Sequence, residues 1–198
     1  MTRNWLRHNI IGCISAIILT TIAACRVNDS SDTAPTTAAT KVAEELRTLP
    51  SLEDTNEKLT SSIQQLRTKI SAIVPPVSWK WQDQPQRIGC SKPYEQSDGK
   101  VILVPFYVSS VAIPESSWHE ALAAAKETAA SIDIPNLGVI HDAPNNHDVR
   151  FSNETGTAIA LTSQAHTVIS GYTGCRIPAT NRSNLTDPLQ TKMPSTNP

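Results

Sequence analysis

Residues 137–170 read LGVIHDAPNNHDVRFSNETGTAIALTSQAHTVIS. Four short runs with strand-like apolar patterning stand in this stretch, at 137–141, 147–152, 156–162 and 165–170. Between the second and third, Asn153 to Gly156 has the composition of a hairpin turn, with glycine free to take positive φ. Successive short strands joined by tight turns predict an antiparallel sheet rather than a parallel one.

Upstream, the period changes. Over 115–132, Trp118, Leu122, Ala125, Ala129 and Ile132 form one apolar stripe, and Ser117 with Glu120 fits a capping box at the start of a helix. The run VILVPFYV at 101–108 is the most strand-like of all, and its Pro105 predicts an edge position or a bulge. At 77–81, VSWKW places Trp79 and Trp81 on one face of a strand. Residues 51–74 give a second helix, with Leu52, Leu59, Ile63, Leu66, Ile70 and Ile73 on one stripe. Ser51 and Asp54 suit its start, and Pro75-Pro76 its end. That stripe fits packing on its own domain, or pairing with a partner helix. The expected fold is α+β: an antiparallel sheet covered by two helices.

The N-terminus reads as an address. Arg3 and Arg7 precede a mostly apolar run from Ile10 to Ile22, too short to span a bilayer, where roughly 20 residues are needed. It ends in Ile22-Ala23-Ala24-Cys25, a bacterial lipobox. Residues 1–24 are expected to be a lipoprotein signal peptide, and the Cys25 thiol the site of diacylglyceryl attachment, with palmitate-like chains. Residues 25–50 are expected as lipidated cysteine and flexible tether, with a short helical piece at 41–48. The domain is expected over 51–180 and a disordered polar tail over 181–198.

Of the four cysteines, Cys13 leaves with the signal and Cys25 takes the lipid. Cys90 and Cys175 remain, in a chain bound for an oxidising compartment, and a disulfide between them is expected. A metal or redox pair is the alternative, although neither cysteine sits in C-x-x-C.

Across the chain, 17 Lys and Arg stand against 18 Asp and Glu, which provides no basic footprint for nucleic acid. Only seven glycines are present, so phosphate-cradling loops have little material. G-x-S-x-G is absent, and Ser97-Asp98-Gly99-Lys100 reads as a turn rather than a catalytic S-x-x-K. The cluster His141-Asp142-Ala-Pro-Asn-Asn-His147-Asp148 holds two imidazoles and two carboxylates, ligand types that suit Zn²⁺. Its spacing is not H-E-x-x-H, and a solvated polar turn explains it equally. Trp79 and Trp81 are a candidate ligand face, with core packing as the other reading. No cofactor is expected.

From Leu59 to Cys175 the landmarks resemble the LppA-type lipoprotein family of mycobacteria and relatives. They are the lipobox Cys25, the helix LTSSIQQLRTKISAIVPP, Trp79-Lys80-Trp81, Gly89-Cys90, and the strand after Gly99-Lys100. The Ala-rich helix behind Trp118, Asp148-Val149-Arg150-Phe151 with Asn153 and Gly156, and Ser170-Gly171-Tyr172-Thr173-Gly174-Cys175 complete them. The resemblance implies an envelope-anchored α+β domain with one disulfide and supplies no catalytic residue. The expected function is a non-enzymatic lipoprotein on the extracytoplasmic face of the cell membrane, binding an envelope lipid, a glycan or a protein partner. The alternative is a metal-assisted hydrolase using His141, Asp142, His147 and Asp148.

Overall fold

The computed structural model describes residues 37–183. The expected signal peptide at 1–24, Cys25, the part of the expected tether up to residue 36 and the expected tail from residue 184 lie outside the described residues.

Eleven elements follow in order: α1 (Thr37–Thr48), α2 (Leu52–Ile73), β1 (Trp79–Gln82), β2 (Gln86–Gly89), β3 (Lys100–Ser109), α3 (Glu115–Ala130), β4 (Asn136–Ala143), β5 (Asn146–Ser152), β6 (Ala158–Ser163), β7 (Thr167–Tyr172) and α4 (Ala179–Ser183). The strands form one seven-stranded sheet in the order β1-β3-β7-β6-β5-β4, and β2 also pairs with β3. Every pairing is antiparallel. The α+β expectation and the disulfide both hold.

α2 starts where the sequence places it. Ser51 is the N-cap, its Oγ accepting the Asp54 N–H at 3.1 Å, and Glu53 and Asp54 occupy the first turn. Leu52, Leu59, Ile63, Leu66 and Ile70 are each 1% exposed or less. They pack on β3 and β7, so the stripe serves its own domain rather than a partner helix. The approach is close at Gly171, where a Cβ would meet the Ala158 carbonyl at 2.8 Å and Ile63 Cδ1 at 3.0 Å.

α3 packs beside α2 and on β5. Its buried residues are Trp118, Ala121, Ala125, Thr128 and Ala129. The expected capping box is not formed: Pro114 is the N-cap, with no side-chain cap bond, and Ser117 lies inside the helix. The helix begins at Glu115, as expected, and the box fails because Ser117 already lies in its first turn.

Pro105 falls at a bulge. The β3–β7 register shifts between Val104 and Tyr107. Opposite it, β1 and β2 are separated by residues 83–85, and Asp83 takes φ 65°. A residue without an N–H cannot bridge a ladder on either side, so strands β1 and β2 form a broken edge along β3.

One face of the sheet carries Ile102, Val104, Tyr107, Val149, Phe151, Ile159, Leu161 and Ile169, buried under α2 and α3. The alternation leaves Leu103, Arg150, Ser170 and Tyr172 on the opposite face, exposed or half-buried.

The outer parts of the chain differ from expectation. The stretch read as tether contains α1, which begins four residues before the expected helical piece. Its Leu46 is fully buried in a small second cluster with Cys175 and Ile177. The first residues of the expected tail form the end of α4, and Arg182 there donates to the Leu49 carbonyl. A few scattered contacts hold both segments, and no periodic pattern announces them. Among the described residues no helix is long and apolar enough to cross a membrane.

Candidate functional site

The uncovered sheet face is the setting for a cleft of about 590 Å³. Registers bring its floor together: Ile88 pairs with Val101, and Leu103 with Tyr172. Strand alternation sends these side chains away from the helices. Ile88 is 45% exposed and Leu103 36%, so the floor is apolar and open.

Two walls rise from it. One is the Ser91–Tyr94 segment, which follows Cys90. Its Tyr94 N–H bonds the Ser91 carbonyl at 2.9 Å, and the Tyr94 hydroxyl donates to Glu45 of α1 at 3.0 Å. Burial, and then the Glu45 carboxylate, raise the Tyr94 pKa above the ordinary phenol value. The Cys90–Cys175 disulfide, Cα–Cα 5.5 Å, ties this wall to the chain beyond β7. The other wall is Glu154 to Gly156 in the β5–β6 turn. Here the sequence reading is direct: Asn153 Oδ1 accepts the Thr157 N–H at 3.0 Å, and Gly156 takes φ 81°. Lys92 and Glu154 are the charged residues of the lining.

The tryptophans stand elsewhere. Trp79 and Trp81 do share a face, on the helix side of β1. Trp79 is partly buried against the core and donates from Nε1 to Ser71 Oγ at 2.9 Å. Trp81 is 42% exposed, edge-on to Tyr107 at 4.5 Å between centroids. Neither lines this cleft.

The His141–Asp148 cluster is divided by the β4–β5 ladder. His141 pairs with Asp148 and Asp142 with His147, so the two pairs project from opposite faces. Asp148 accepts from Thr162 at 3.1 Å. His147 is 3% exposed, its ring stacked on Trp118 at 4.1 Å. Its Nδ1 meets Asp142 at 2.7 Å and its Nε2 meets Glu115 at 3.1 Å. Each ring nitrogen faces a carboxylate oxygen at hydrogen-bond distance, so a cation would have to displace one of these contacts. Among the described residues no group of three His, Cys, Asp or Glu side chains is placed to hold a metal. Glu115 was not singled out by sequence. It latches α3 to the β4–β5 turn, also accepting the Asn145 N–H at 2.6 Å, and that bond first, then His147, lowers its pKa.

The family model described as "Lipoprotein confined to pathogenic Mycobacterium", LppA, matches residues 27–179. The chain belongs to the LppA family. The crystal structure of LppA from Mycobacterium tuberculosis is similar at 15% identity and TM-score 0.62, over 74% of this chain and 90% of that one. A DUF4853 family protein from Actinomyces odontolyticus is 15% identical with TM-score 0.47, over 74% of this chain and 78% of that one. No curated protein matches this chain. Membership in a lipoprotein family agrees with the Cys25 lipobox and associates the LppA-family chain with the cell envelope.

Proposed function

We propose that this LppA-family protein is a non-enzymatic binding protein, held on the extracytoplasmic face of the cell membrane by a diacylated Cys25. Its ligand is an amphiphilic envelope lipid, taken up in the cleft over β2, β3 and β7. The anchor reading rests on the lipobox and the family. Each buried lipid CH₂ contributes about 0.8 kcal/mol, and two chains anchor stably. The binding reading rests on one observation, the open apolar floor of Ile88 and Leu103 between two braced walls. Pockets of this kind take ligands by apolar area, with a few polar groups fixing orientation. Lys92 suits an anionic head group. The helix–sheet interface is not the binding place, because α2 is sealed onto the sheet by fully buried residues.

Native mass spectrometry on the mature chain carrying Cys25→Ser, incubated with an envelope lipid extract, tests this. A discrete mass addition that Leu103→Glu abolishes, with the circular dichroism spectrum unchanged, is the expected result. A folded, disulfide-bonded protein with no addition overturns it.

A protein partner is the second reading, favoured by β4. This strand is one edge of the sheet, unpaired on its outer side among the described residues, and its Leu137, Val139 and Ile140 are 42%, 58% and 54% exposed. Cross-linking in cells from a photoreactive residue at position 139 tests it. A discrete adduct supports it, and its loss in the presence of saturating lipid would assign both to one event. The hydrolase alternative finds no support in the divided His141–Asp148 cluster.

A further inference from the structure

The two walls of the cleft over β2, β3 and β7 differ in chemistry. On one, Lys92 and the neighbouring Ser91 hydroxyl line the opening, and neither side chain bonds another group among the described residues. On the other, Glu154 is exposed and equally without a partner. The Thr155 hydroxyl beside it is already committed, donating to Asn153 at 2.9 Å and accepting from Arg176 at 2.7 Å. The Tyr94 hydroxyl is held by Glu45 at 3.0 Å. Lys92 and Glu154 do not close on each other, since no salt bridge joins them. A free cation with a hydroxyl donor thus stands on one side of an apolar floor, and a free carboxylate on the other.

Two features of this arrangement limit the ligand. The first is size. Liquid water takes about 30 Å³ per molecule and a methylene is of similar bulk, so a cleft of about 590 Å³ holds roughly 20 non-hydrogen atoms. That is one acyl chain with part of a head group, and two full chains exceed it. The second is charge. A head group of one sign meets a like charge on one wall, and like-charge juxtaposition selects against it. A head that carries an anion and a cation meets an opposite charge on both walls.

We propose that the cleft selects a single-chain amphiphile with a zwitterionic head. Its anion lies against Lys92 and Ser91, its cation against Glu154, and its chain over Ile88 and Leu103. This inference rests on the lipid-cleft reading above and narrows it to one class of lipid.

Native mass spectrometry on the mature Cys25→Ser chain tests it. The probes are lauroyl-lysophosphatidylethanolamine, lauroyl-lysophosphatidylglycerol, dodecylammonium and dilauroyl-phosphatidylethanolamine, each offered from the same non-ionic detergent. The zwitterionic lysolipid should add once per chain, and at least about threefold more tightly than either singly charged probe, a difference within reach of one exposed ion pair. The two-chain lipid should add more weakly than its single-chain counterpart. Glu154→Lys, an exposed substitution, should reverse the order of the two lysolipids. Failure of every probe to bind the folded, disulfide-bonded chain overturns the lipid cleft and this inference together. Equal binding of the two lysolipids, an order unchanged by Glu154→Lys, or equal uptake of the two-chain lipid overturns the inference alone and leaves the cleft standing.

Discussion

Glu53 shows how much a single carboxylate organises. Its Oε2 accepts the Ala179 N–H at 2.8 Å, and its Oε1 accepts from Arg87 at 3.3 Å. The Ala179 bond, with Arg87 adding to it, holds the carboxyl below the ordinary carboxylate range. A depressed folded value means stability present above the unfolded pKa of about 4.3 and lost as pH falls through the folded value. The side chain is nearly half exposed, which keeps the effect modest. Glu53→Gln should therefore be slightly less stable at neutral pH and lose less on acidification. Urea midpoints at about pH 7 and about pH 3 check this; an identical fall in both chains would exclude a role for Glu53. None of this was legible in the sequence, because Ala179 lies 126 residues away. Glu115 escaped for the same reason: its partners His147 and Asn145 belong to another element. Ser51 was legible because its partner is three residues on.

Elements were read well where their signals are local and repeated. α2 carries five stripe positions that are almost fully buried, and both its ends are marked by cap and proline. α3 was read correctly in type and begins at Glu115 as expected, but its cap was not, since Pro114 and the Ser117/Glu120 box are competing local signals. The two serines therefore make a controlled pair. Ser51→Ala should cost about 1 kcal/mol, the usual value of an N-cap. Ser117→Ala should stay within about 0.5 kcal/mol, as a substitution that removes no cap. Urea denaturation of both variants measures the difference, and equal losses would mean that Ser51 does not cap. In β3 the run VILVPFYV is apolar in both phases. Ile102 and Val104 account for the buried phase, and Leu103 for the floor of the cleft. A strand apolar on both faces announces a covered or a binding second face, and periodicity does not say which.

Across the fold, the cysteine pairing was countable from four residues, whereas the cleft was not, because it is assembled from four separated segments. The disulfide closes 85 residues. Loop entropy assigns such a link at most about 4–5 kcal/mol. Cys90→Ser with Cys175→Ser should lower the thermal midpoint markedly and weaken lipid uptake, since the Ser91–Tyr94 wall loses its tie. Calorimetry paired with mass spectrometry reads both; an unchanged midpoint would mean that the unfolded chain is already compact without the bond. The segments at the two ends of the domain also lie together. Leu52 donates to the Ile177 carbonyl at 3.1 Å, and Arg182 to that of Leu49. The segment after α1 and the segment after β7 are thus clasped to one another. Ends clasped in this way make neither one a loose thread: a pull on the α1 side loads the Arg182–Leu49 and Leu52–Ile177 bonds together, so the fold should resist unravelling from a terminus and give way as a whole.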